Sequence, residues 1–484
     1  MENILVGRKR EQEILKEALT SREPELVAVI GRRRVGKTFL VRTVYDPYMA
    51  FEVTGLQNAT QKKQLEHFTF WLDSWLGTHE QDAAPENWLA AFQLLIRKLE
   101  RQPERAEKRV LFFDELPWLD SRKSGFLEAF GMFWNSWASR KNVIVVICGS
   151  AASWMIRRVV DNKGGLHNRI TRRIHLQPFS LYETETYLNS RNIKTDRYQI
   201  LHLYMALGGI PHYLKEVRPG LSAAQNIEQI CFSPQGLLRE EFTRLYPALF
   251  ENSDSHVAII RTLASSKQGL SRKELISLSK LPDGGSTNRY LDELLHSGFI
   301  TIWFPLNGKK KEALFRLNDE FSLFYLQFME NRQPYGPGYW NNLSQTQQYA
   351  SWSGYAFENI CLNHIAQIKK SLGIFGVYTQ AGSFRKTGKG GQPGVQIDLL
   401  LDRNDNIVNL CELKFYKDRF SLDAAVAQQL RQKVALFQTY SKTRKMVLVN
   451  LITTYGLIPN EHSIGLVDKT ITMDALFLPV EEEY

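Results

Sequence analysis

The feature that most constrains this chain is a glycine-rich segment, Gly31-Arg-Arg-Arg-Val-Gly36-Lys37-Thr38. It follows a continuous apolar run, Leu26 to Ile30, which is typical of a buried parallel strand, and a helical pattern comes after it. The spacing GxxxxGK[ST] in this context predicts a loop whose backbone amides bind phosphate at a helix N-terminus. Gly31 and Gly36 let the backbone approach the ligand, Lys37 is expected to neutralise the phosphates of ATP, and Thr38 is expected to hold Mg²⁺.

Two further buried strands end in polar residues. Val110 to Phe113 runs into Asp114 and Glu115, and Val143 to Cys148 runs into a glycine and Ser150. Asp114 is expected to hold the Mg²⁺ water shell and Glu115 to polarise the attacking water. Ser150 either bonds the γ-phosphate or the attacking water, or is simply a strand-end turn residue. Strands alternating with helices predict an α/β fold with a parallel sheet.

Composition limits the class of protein. The 484 residues suggest about three domains. With 43% hydrophobic and 23% charged residues, a disordered or low-complexity chain is excluded. The net charge of +10 is concentrated in residues 1–250, which carry 35 Lys and Arg against 28 Asp and Glu. The basic excess therefore lies with the phosphate-binding loop and is no evidence by itself for nucleic-acid binding.

Together these motifs resemble the AAA+ ATPases, and more narrowly their archaeal-type clade, which is close to the STAND NTPases. The resemblance covers about residues 1–250. It rests further on Val6-Gly-Arg8-Lys-Arg-Glu11, Asn168-Arg169-Ile-Thr171 and Gly208-Gly-Ile-Pro211. It implies that Arg8 lies near the adenine, and that Arg169 is an arginine finger acting in cis or from a neighbouring subunit. Asn168 replaces the glycine usual in that family.

Residues 256–330 have a different pattern. Helical stretches at 256–264, after Ser271 and at 287–297 precede two short strands, 299–305 and 313–317, around an Asn-Gly turn. Three helices and a β-hairpin predict a winged helix-turn-helix. Asn288 and Arg289 are candidates for base contacts, and Lys309 to Lys311 are candidates for phosphate contacts. Because this segment has almost no net charge, a protein-contact role is an equal alternative.

The C-terminal part carries a second set of carboxylates. A helix over Tyr349–Lys370 is followed by strands at 376–379, 395–401 and 408–415, a helix over 422–440 and a strand at 445–450. Thirteen residues separate Asp398 from Glu412, so neighbouring strands bring the two together, and Lys414 shares a face with Glu412. Two carboxylates on an otherwise apolar sheet suit Mg²⁺ or Mn²⁺, with Lys414 activating a water or stabilising charge.

This arrangement is similar to the PD-(D/E)XK nuclease pattern, in a C-terminal domain of uncharacterised function that is often fused to this ATPase clade. The resemblance implies that Glu358 on the first helix joins the metal site. Gln396 replaces an acidic residue usual there, and Gln428 and Gln432 match a glutamine position only loosely. Arg385, Lys386 and Lys389 lie in a glycine-rich stretch, 382–394, and either contact phosphate or are solvated.

The predicted fold is a P-loop AAA+ parallel sheet with a helical lid, then a winged helix-turn-helix, then an α/β restriction-endonuclease-like domain. The predicted bounds are a P-loop ATPase core at 1–180, a lid at 181–250, the winged helix at 251–332, a linker at 333–345 and the nuclease-like domain at 346–484.

Two functions remain open. One is an ATP-hydrolysing protein that acts on nucleic acid and cleaves it at Asp398, Glu412 and Lys414. The other is an ATP-dependent regulatory switch whose C-terminal parts bind DNA or a protein partner without cleavage. ATP is the expected ligand, and DNA and a second copy of the chain are possible partners. With no long apolar run and four scattered cysteines, we expect no membrane span and a cytoplasmic location.

Overall fold

The computed structural model of the chain describes residues 5–77, 83–103, 105–160, 165–166, 168–306, 312–330, 336–386, 388 and 393–480. It forms two compact units. The first consists of residues 1–177 with 296–298, and the second of residues 178–295 and 299–484. The boundary at 177 lies close to the predicted end of the ATPase core, whereas the predicted lid, winged helix and C-terminal domain share the second unit.

A five-stranded parallel sheet forms the centre of the first unit, in the order β2-β3-β4-β1-β5. Its strands are β1 (Glu25–Ile30), β2 (Met49–Thr54), β3 (Arg109–Asp114), β4 (Val143–Gly149) and β5 (Arg172–His175). Around it lie α1 (Lys9–Thr20), α2 (Lys37–Tyr45), α3 (Gln61–Leu76), α4 (Trp88–Arg101), α5 (Leu116–Leu119), α6 (Phe126–Ser136) and α7 (Ala152–Trp154).

The position of each strand in the sheet explains which strands the sequence revealed. The central strands β1 and β4 are buried at every residue, and β3 at all but its first, because helices cover both faces. Their apolar runs were predicted and are confirmed. The edge strands β2 and β5 are buried only at alternate positions or at one residue, so no continuous apolar run marks them and neither was predicted.

The second unit begins with helices. They are α8 (Leu181–Ser190), α9 (Arg197–Leu207), α10 (Pro211–Leu214), α11 (Ala223–Ile227) and α12 (Glu241–Leu245). At the end of α9 the chain turns through Gly208 and Gly209, and Phe179 N donates to Gly209 O over 2.6 Å. A Cβ on Gly209 would lie 1.9 Å from Phe179 O, so only glycine permits this close approach of two backbone segments.

The segment that follows contains the three helices and the hairpin that the sequence predicted. They are α13 (Ser253–Ala264), β6 (Leu270–Ser271), α14 (Arg272–Ser279), α15 (Gly285–His296), β7 (Ile300–Trp303) and β8 (Leu314–Leu317). The strands form an antiparallel sheet in the order β6-β8-β7. Ser271 caps α14 through a reciprocal capping box with Glu274, as its spacing predicts. Lys309 to Lys311 lie outside the described residues.

The predicted linker at 333–345 is in part a packed element. After α16 (Glu320–Phe328) comes the short helix α17 (Tyr339–Leu343). Trp340 on α17 is 1% exposed and stacks on Phe232 with ring centroids 5.3 Å apart. The rings of Phe324 and Phe328 contact it edge-on. The aromatic residues that looked like linker composition therefore belong to the hydrophobic core of this unit, and a simple linker is wrong for this helix.

The chain ends in a mixed sheet of order β15-β13-β11-β10-β9. The helices and strands of this part of the chain are α18 (Gln347–Asn363), α19 (Ile365–Leu372), β9 (Thr379–Lys386), β10 (Val395–Arg403), β11 (Ile407–Lys414), β12 (Phe420–Ser421), α20 (Ala424–Ser441), β13 (Met446–Thr453), β14 (Leu457–Ile458) and β15 (Lys469–Thr472). The strands β12 and β14 pair only with each other. β9, β10 and β11 are antiparallel, while β13 runs parallel to β11 after the helical crossover α20.

Two details differ from the prediction. The first helix is broken at His364, which leaves the helical backbone conformation, so α18 and α19 are separate. The first strand begins at Thr379 and continues to Lys386, so Arg385 and Lys386 lie in a strand and not in a loop. Both side chains are exposed, and Lys389 lies outside the described residues.

In the part of the chain that the structure describes, we find no helix with the length and apolar character needed to cross a bilayer.

Candidate functional site

The phosphate-binding loop connects β1 to α2. Gly36 has a left-handed backbone (φ 95°) and occupies the N-cap position of α2, so the first-turn amides of the helix point out of its N-terminus. Gly31 lies against Leu176, and a Cβ there would come 2.4 Å from Leu176 O. Both predicted glycines thus occupy positions that a side chain would strain.

Lys37 is held against this loop. It is 6% exposed, and its Nζ donates to Gly31 O over 2.8 Å and to Arg32 O over 2.9 Å. The loop carbonyls thus hold the ammonium group at the helix N-terminus, where the positive end of the helix dipole adds to its field. The arrangement favours an anionic ligand.

Threonine and carboxylate groups meet across the sheet edge. Because β4 lies between β1 and β3, the carboxyl ends of all three strands are neighbours. Thr38 Oγ1 donates to Asp114 Oδ2 over 2.8 Å, although the residues are 76 positions apart in the chain. Asp114 is 4% exposed, and its Oδ1 accepts the backbone N–H of Glu115 over 3.0 Å.

Ser150 has a definite partner that the sequence did not reveal. Both its backbone N–H and its hydroxyl donate to Glu115 Oε2, over 3.0 and 2.8 Å. Glu115 itself has a left-handed backbone (φ 46°), a conformation that residues other than glycine rarely adopt. In this structure Ser150 therefore orients a carboxylate, a role that was not among the alternatives considered for it.

The predicted Arg8 and Arg169 and two further arginines of the first unit have different environments. Arg8 is 5% exposed and donates from Nη2 to Gln177 O over 2.5 Å. Arg158 pairs with Asp120, and Arg172 pairs with Glu17 and Glu25. Arg169 lies in a turn before β5 and is exposed. Arg8 also lies 3.8 Å from Glu11, so three of these arginines have carboxylate partners, whereas the side chain of Arg169 lies at the surface.

The C-terminal carboxylates Asp398 and Glu412 lie on the neighbouring strands β10 and β11. The ladder between β10 and β11 ends at the pair Leu399 and Cys411, so Asp398 and Glu412 each lie one residue beyond the last pair. Lys414 Nζ lies 2.9 Å from Glu412 Oε1. Glu412 also receives a second cation, Lys433 of α20, whose Nζ lies 2.7 Å from Oε2. Lys433 was not predicted from the sequence, and Gln428 and Gln432 on the same helix are exposed.

Charge interactions shift the pKa values of this cluster. Burial tends to raise the pKa of Glu412, but Lys433 and Lys414 outweigh it, so the pKa is lowered. Burial tends to lower the pKa of Lys414, but Glu412 outweighs it, so the pKa is raised. Glu358 on α18 is the opposite case: burial, together with the negative charge of Asp398, raises its pKa to about 7.

The donor set suits a hard divalent cation through two carboxylates. Within the described ranges, no group of three or more His, Cys, Asp and Glu side chains has the spacing to hold a metal ion. Mg²⁺ usually binds to proteins through only one or two carboxylates and keeps several waters, which Asp398 and Glu412 can provide.

The candidate base-contacting residues of α15 also have intramolecular partners. Asn288 Oδ1 accepts from Arg272 Nε over 3.0 Å. Arg289 is about half exposed and lies 3.8 Å from Glu293. Both side chains are nevertheless exposed.

Comparison with known proteins supports an ATPase domain in the N-terminal part of the chain. Residues 5–217 match the model of an ATPase domain found predominantly in Archaea. An uncharacterized protein of Methanocaldococcus jannaschii is 24% identical over 423 residues, covering 86% of this chain and 89% of its own.

Among solved structures, a Walker-type ATPase of Pyrococcus abyssi has 16% identity and a TM-score of 0.48, covering 67% of this chain and 96% of its own. The ORC2 protein of Aeropyrum pernix has 15% identity and a TM-score of 0.42, covering 67% of this chain and 95% of its own. With its sheet order, its phosphate-binding loop and the family match, the segment 5–217 is an archaeal-type P-loop ATPase domain.

Proposed function

We propose that this chain binds ATP with Mg²⁺ at the edge of the first sheet, hydrolyses it, and uses the second unit to act on nucleic acid. The observation that carries the ATPase proposal is the connected set Thr38, Asp114, Glu115 and Ser150 at the ends of three adjacent strands. Phosphoryl transfer depends mainly on such positioning and on charge stabilisation.

Each residue has a separate role in this proposal. The backbone around Gly31 and Gly36 binds the phosphates, and Lys37 neutralises their charge. Thr38 and Asp114 hold Mg²⁺, which supplies charge compensation when bound. Glu115 polarises the attacking water, and Ser150 keeps Glu115 in place. Arg8 lies by the adenine.

Two variants of the full chain test the ATPase. Lys37→Ala abolishes nucleotide binding, and Glu115→Gln binds ATP but hydrolyses it far more slowly. Lys16→Ala, an exposed lysine of α1, is the control and behaves like the wild type. Unchanged hydrolysis in both site variants contradicts the assignment.

Arg169 is proposed as the arginine finger, and mixing experiments decide where it acts. If it acts in a neighbouring copy of the chain, a mixture of Arg169→Ala with Lys37→Ala regains ATPase activity, because the Lys37→Ala copy supplies the missing arginine. If it acts in cis, the mixture stays inactive. The same experiment therefore tests the proposed homo-oligomer.

We further propose that residues 346–484 form a nuclease-like domain in which Asp398 and Glu412, with Glu358 nearby, hold Mg²⁺ or Mn²⁺. The position of Asp398 and Glu412 on the neighbouring strands β10 and β11 supports this. Lys414 is positioned to stabilise the charge that develops on a phosphodiester during attack. Residues 251–332 are proposed to be a winged helix that contacts DNA through exposed residues such as Arg289.

A supercoiled plasmid with Mg²⁺ or Mn²⁺ separates cleavage from binding alone. The full chain is expected to nick the plasmid, and Asp398→Ala is expected to retain DNA binding without nicking. Asp418→Ala, an exposed carboxylate, is the control. If wild type and Asp398→Ala bind DNA equally and neither cleaves, the second candidate holds: an ATP-dependent switch. The engagement of Glu412 by two lysines favours that candidate, because both cations compete with a metal ion for the carboxylate.

A further inference from the structure

A turn outside the C-terminal sheet contacts the strand that carries Asp398. Gln268, between α13 and β6, donates from its side-chain Nε2 to Gln396 Oε1. Gln396 in turn donates from Nε2 to Asp398 Oδ1 over 2.8 Å. Because an amide has one accepting and one donating end, the contact with Gln268 determines which end of Gln396 faces the carboxylate.

The same segment is attached to the helix that carries Glu358. Arg316 of β8 is 5% exposed and donates from Nη2 to Asn359 Oδ1 over 3.2 Å. Asn359 Nδ2 donates back to Leu317 O over 3.1 Å. The β6-β8-β7 sheet therefore bonds to α18 one residue away from Glu358.

The hairpin is also joined to the edge of the C-terminal sheet. Leu306 N donates to Ser383 O of β9 over 3.1 Å. The Leu306 side chain is 6% exposed and packs with Val395, Ile397 and Phe437. These contacts hold the turn at Gln268 in a fixed place relative to β10.

We propose that Gln268 is a positioning residue for Asp398, acting through Gln396. The segment that precedes the C-terminal domain thereby completes the hydrogen-bonded surroundings of its carboxylate site. The proposal rests on the metal-binding role of Asp398 proposed above. Carboxylates that bind metals are commonly held by such outer hydrogen bonds, and loss of one typically costs about 10- to 100-fold in metal affinity.

Mn²⁺ binding to the nucleotide-free full chain tests the proposal by calorimetry, with the signal of Asp398→Ala subtracted. Gln268→Met and Gln396→Met each keep the side-chain length and remove the amide. We expect each to weaken Mn²⁺ binding by about tenfold. The double variant is expected to bind no more weakly than Gln396→Met, because Gln268 acts only through Gln396. Gln327→Met, an exposed residue of α16, is the control and binds as the wild type does.

Two results overturn the proposal: Mn²⁺ affinity of Gln268→Met equal to that of the wild type, or effects of the two single variants that add in the double variant. If the wild type itself binds no more Mn²⁺ than Asp398→Ala, the metal site of the proposed function fails. Urea unfolding of the same variants then decides on the positioning role alone. Destabilisations that do not add support the chain Gln268–Gln396–Asp398, and additive ones overturn it.

Discussion

At the residue scale, both candidate sites consist of carboxylates that other side chains hold in place. Glu115 is held by Ser150, and Glu412 by two lysines. The residue types were visible in the sequence, but their partners were not, because each partner comes from a different strand or helix. The structure therefore adds orienting residues more than it adds new reactive groups.

The hydroxyl of Ser150 gives the first prediction. Ser150→Ala removes one of the two hydrogen bonds to Glu115 and keeps the one from the backbone amide. A hydrogen bond to a charged group contributes about 1.5–3 kcal/mol, so we expect ATP turnover to fall by at least tenfold. Binding of ATP is expected to change little, because the loop around Lys37 is intact. Steady-state kinetics measure both; Ser136→Ala, an exposed serine, is the control. Unchanged turnover in Ser150→Ala contradicts the orienting role.

Lys433 gives a second prediction, which concerns stability. Lys433→Met leaves the buried carboxylate of Glu412 with Lys414 alone. Since a buried charge that loses a partner is costly, we expect the free energy of unfolding to fall by about 1–3 kcal/mol. Denaturant titration measures it, with Arg431→Met on the exposed face of the same helix as the control. If Lys433→Met and Arg431→Met are equally stable, the ion pair between Lys433 and Glu412 has no structural role.

At the element scale, burial determines how well a strand can be predicted. β1, β3 and β4 are covered on both faces, so their sequences are continuous apolar runs. β2 and β5 lie at the two edges of the sheet. Only a few of their residues are buried and polar residues separate these, so their sequences show no comparable apolar run. Similarly, α17 was interpreted as linker because a five-residue helix has too few residues to show a helical period.

The turn at Gly209 allows a prediction about an element boundary. Gly209→Ala places a Cβ 1.9 Å from Phe179 O, so the backbone segments must separate and their hydrogen bond weakens. We expect a loss of about 1–3 kcal/mol in the free energy of unfolding, the usual cost of overpacking. Thermal unfolding checks it. Gly284→Ala meets no atom within 4 Å and is expected to be close to neutral. A Gly209→Ala protein as stable as Gly284→Ala would show that the close approach is unimportant.

At the scale of the whole molecule, the second unit contains a buried histidine, His364, and a half-buried one, His202, that resist protonation. Burial lowers the pKa of His202 and of His364 to about 4. His364 Nε2 accepts the N–H of Leu181 over 3.1 Å, and its Nδ1 bonds to Ile360 O over 2.7 Å. A proton added to Nε2 would face another N–H, so the folded state keeps the ring neutral.

The sign of the pH dependence follows from this. Because the folded pKa lies below the usual value of about 6.5, the unfolded chain takes up protons first as the pH falls. The stabilisation is complete above about pH 6.5 and decreases towards pH 4. Each histidine should contribute a loss of about 2 kcal/mol between pH 7 and pH 5.

His202→Phe tests the pH dependence, since it keeps the ring that contacts Tyr198 and Tyr349 but cannot be protonated. Urea unfolding at pH 7 and pH 5 is compared for the variant and the wild type. We expect the loss of stability on acidification to be smaller in the variant by about 2 kcal/mol. An equal loss in both proteins rules out His202 as a source.

The sequence by itself determined the chemistry that needs residues close together in the chain. The loop from Gly31 to Thr38, the acidic pair after β3 and the alternation of Glu412 with Lys414 are all local patterns, and local geometry places them. Gly36 also follows from local backbone sterics, because its φ of 95° is a conformation that favours glycine.

The tertiary structure alone decided which distant groups meet. Ser150 reaches Glu115 because they follow β4 and β3, which are neighbours in the first sheet. Lys433 reaches Glu412 because α20 crosses the C-terminal sheet. Gln268 reaches Gln396 across 128 positions of chain. Such contacts depend on strand order and packing. These are determined by apolar residues spread over the whole unit, so no local pattern shows which polar residues will meet.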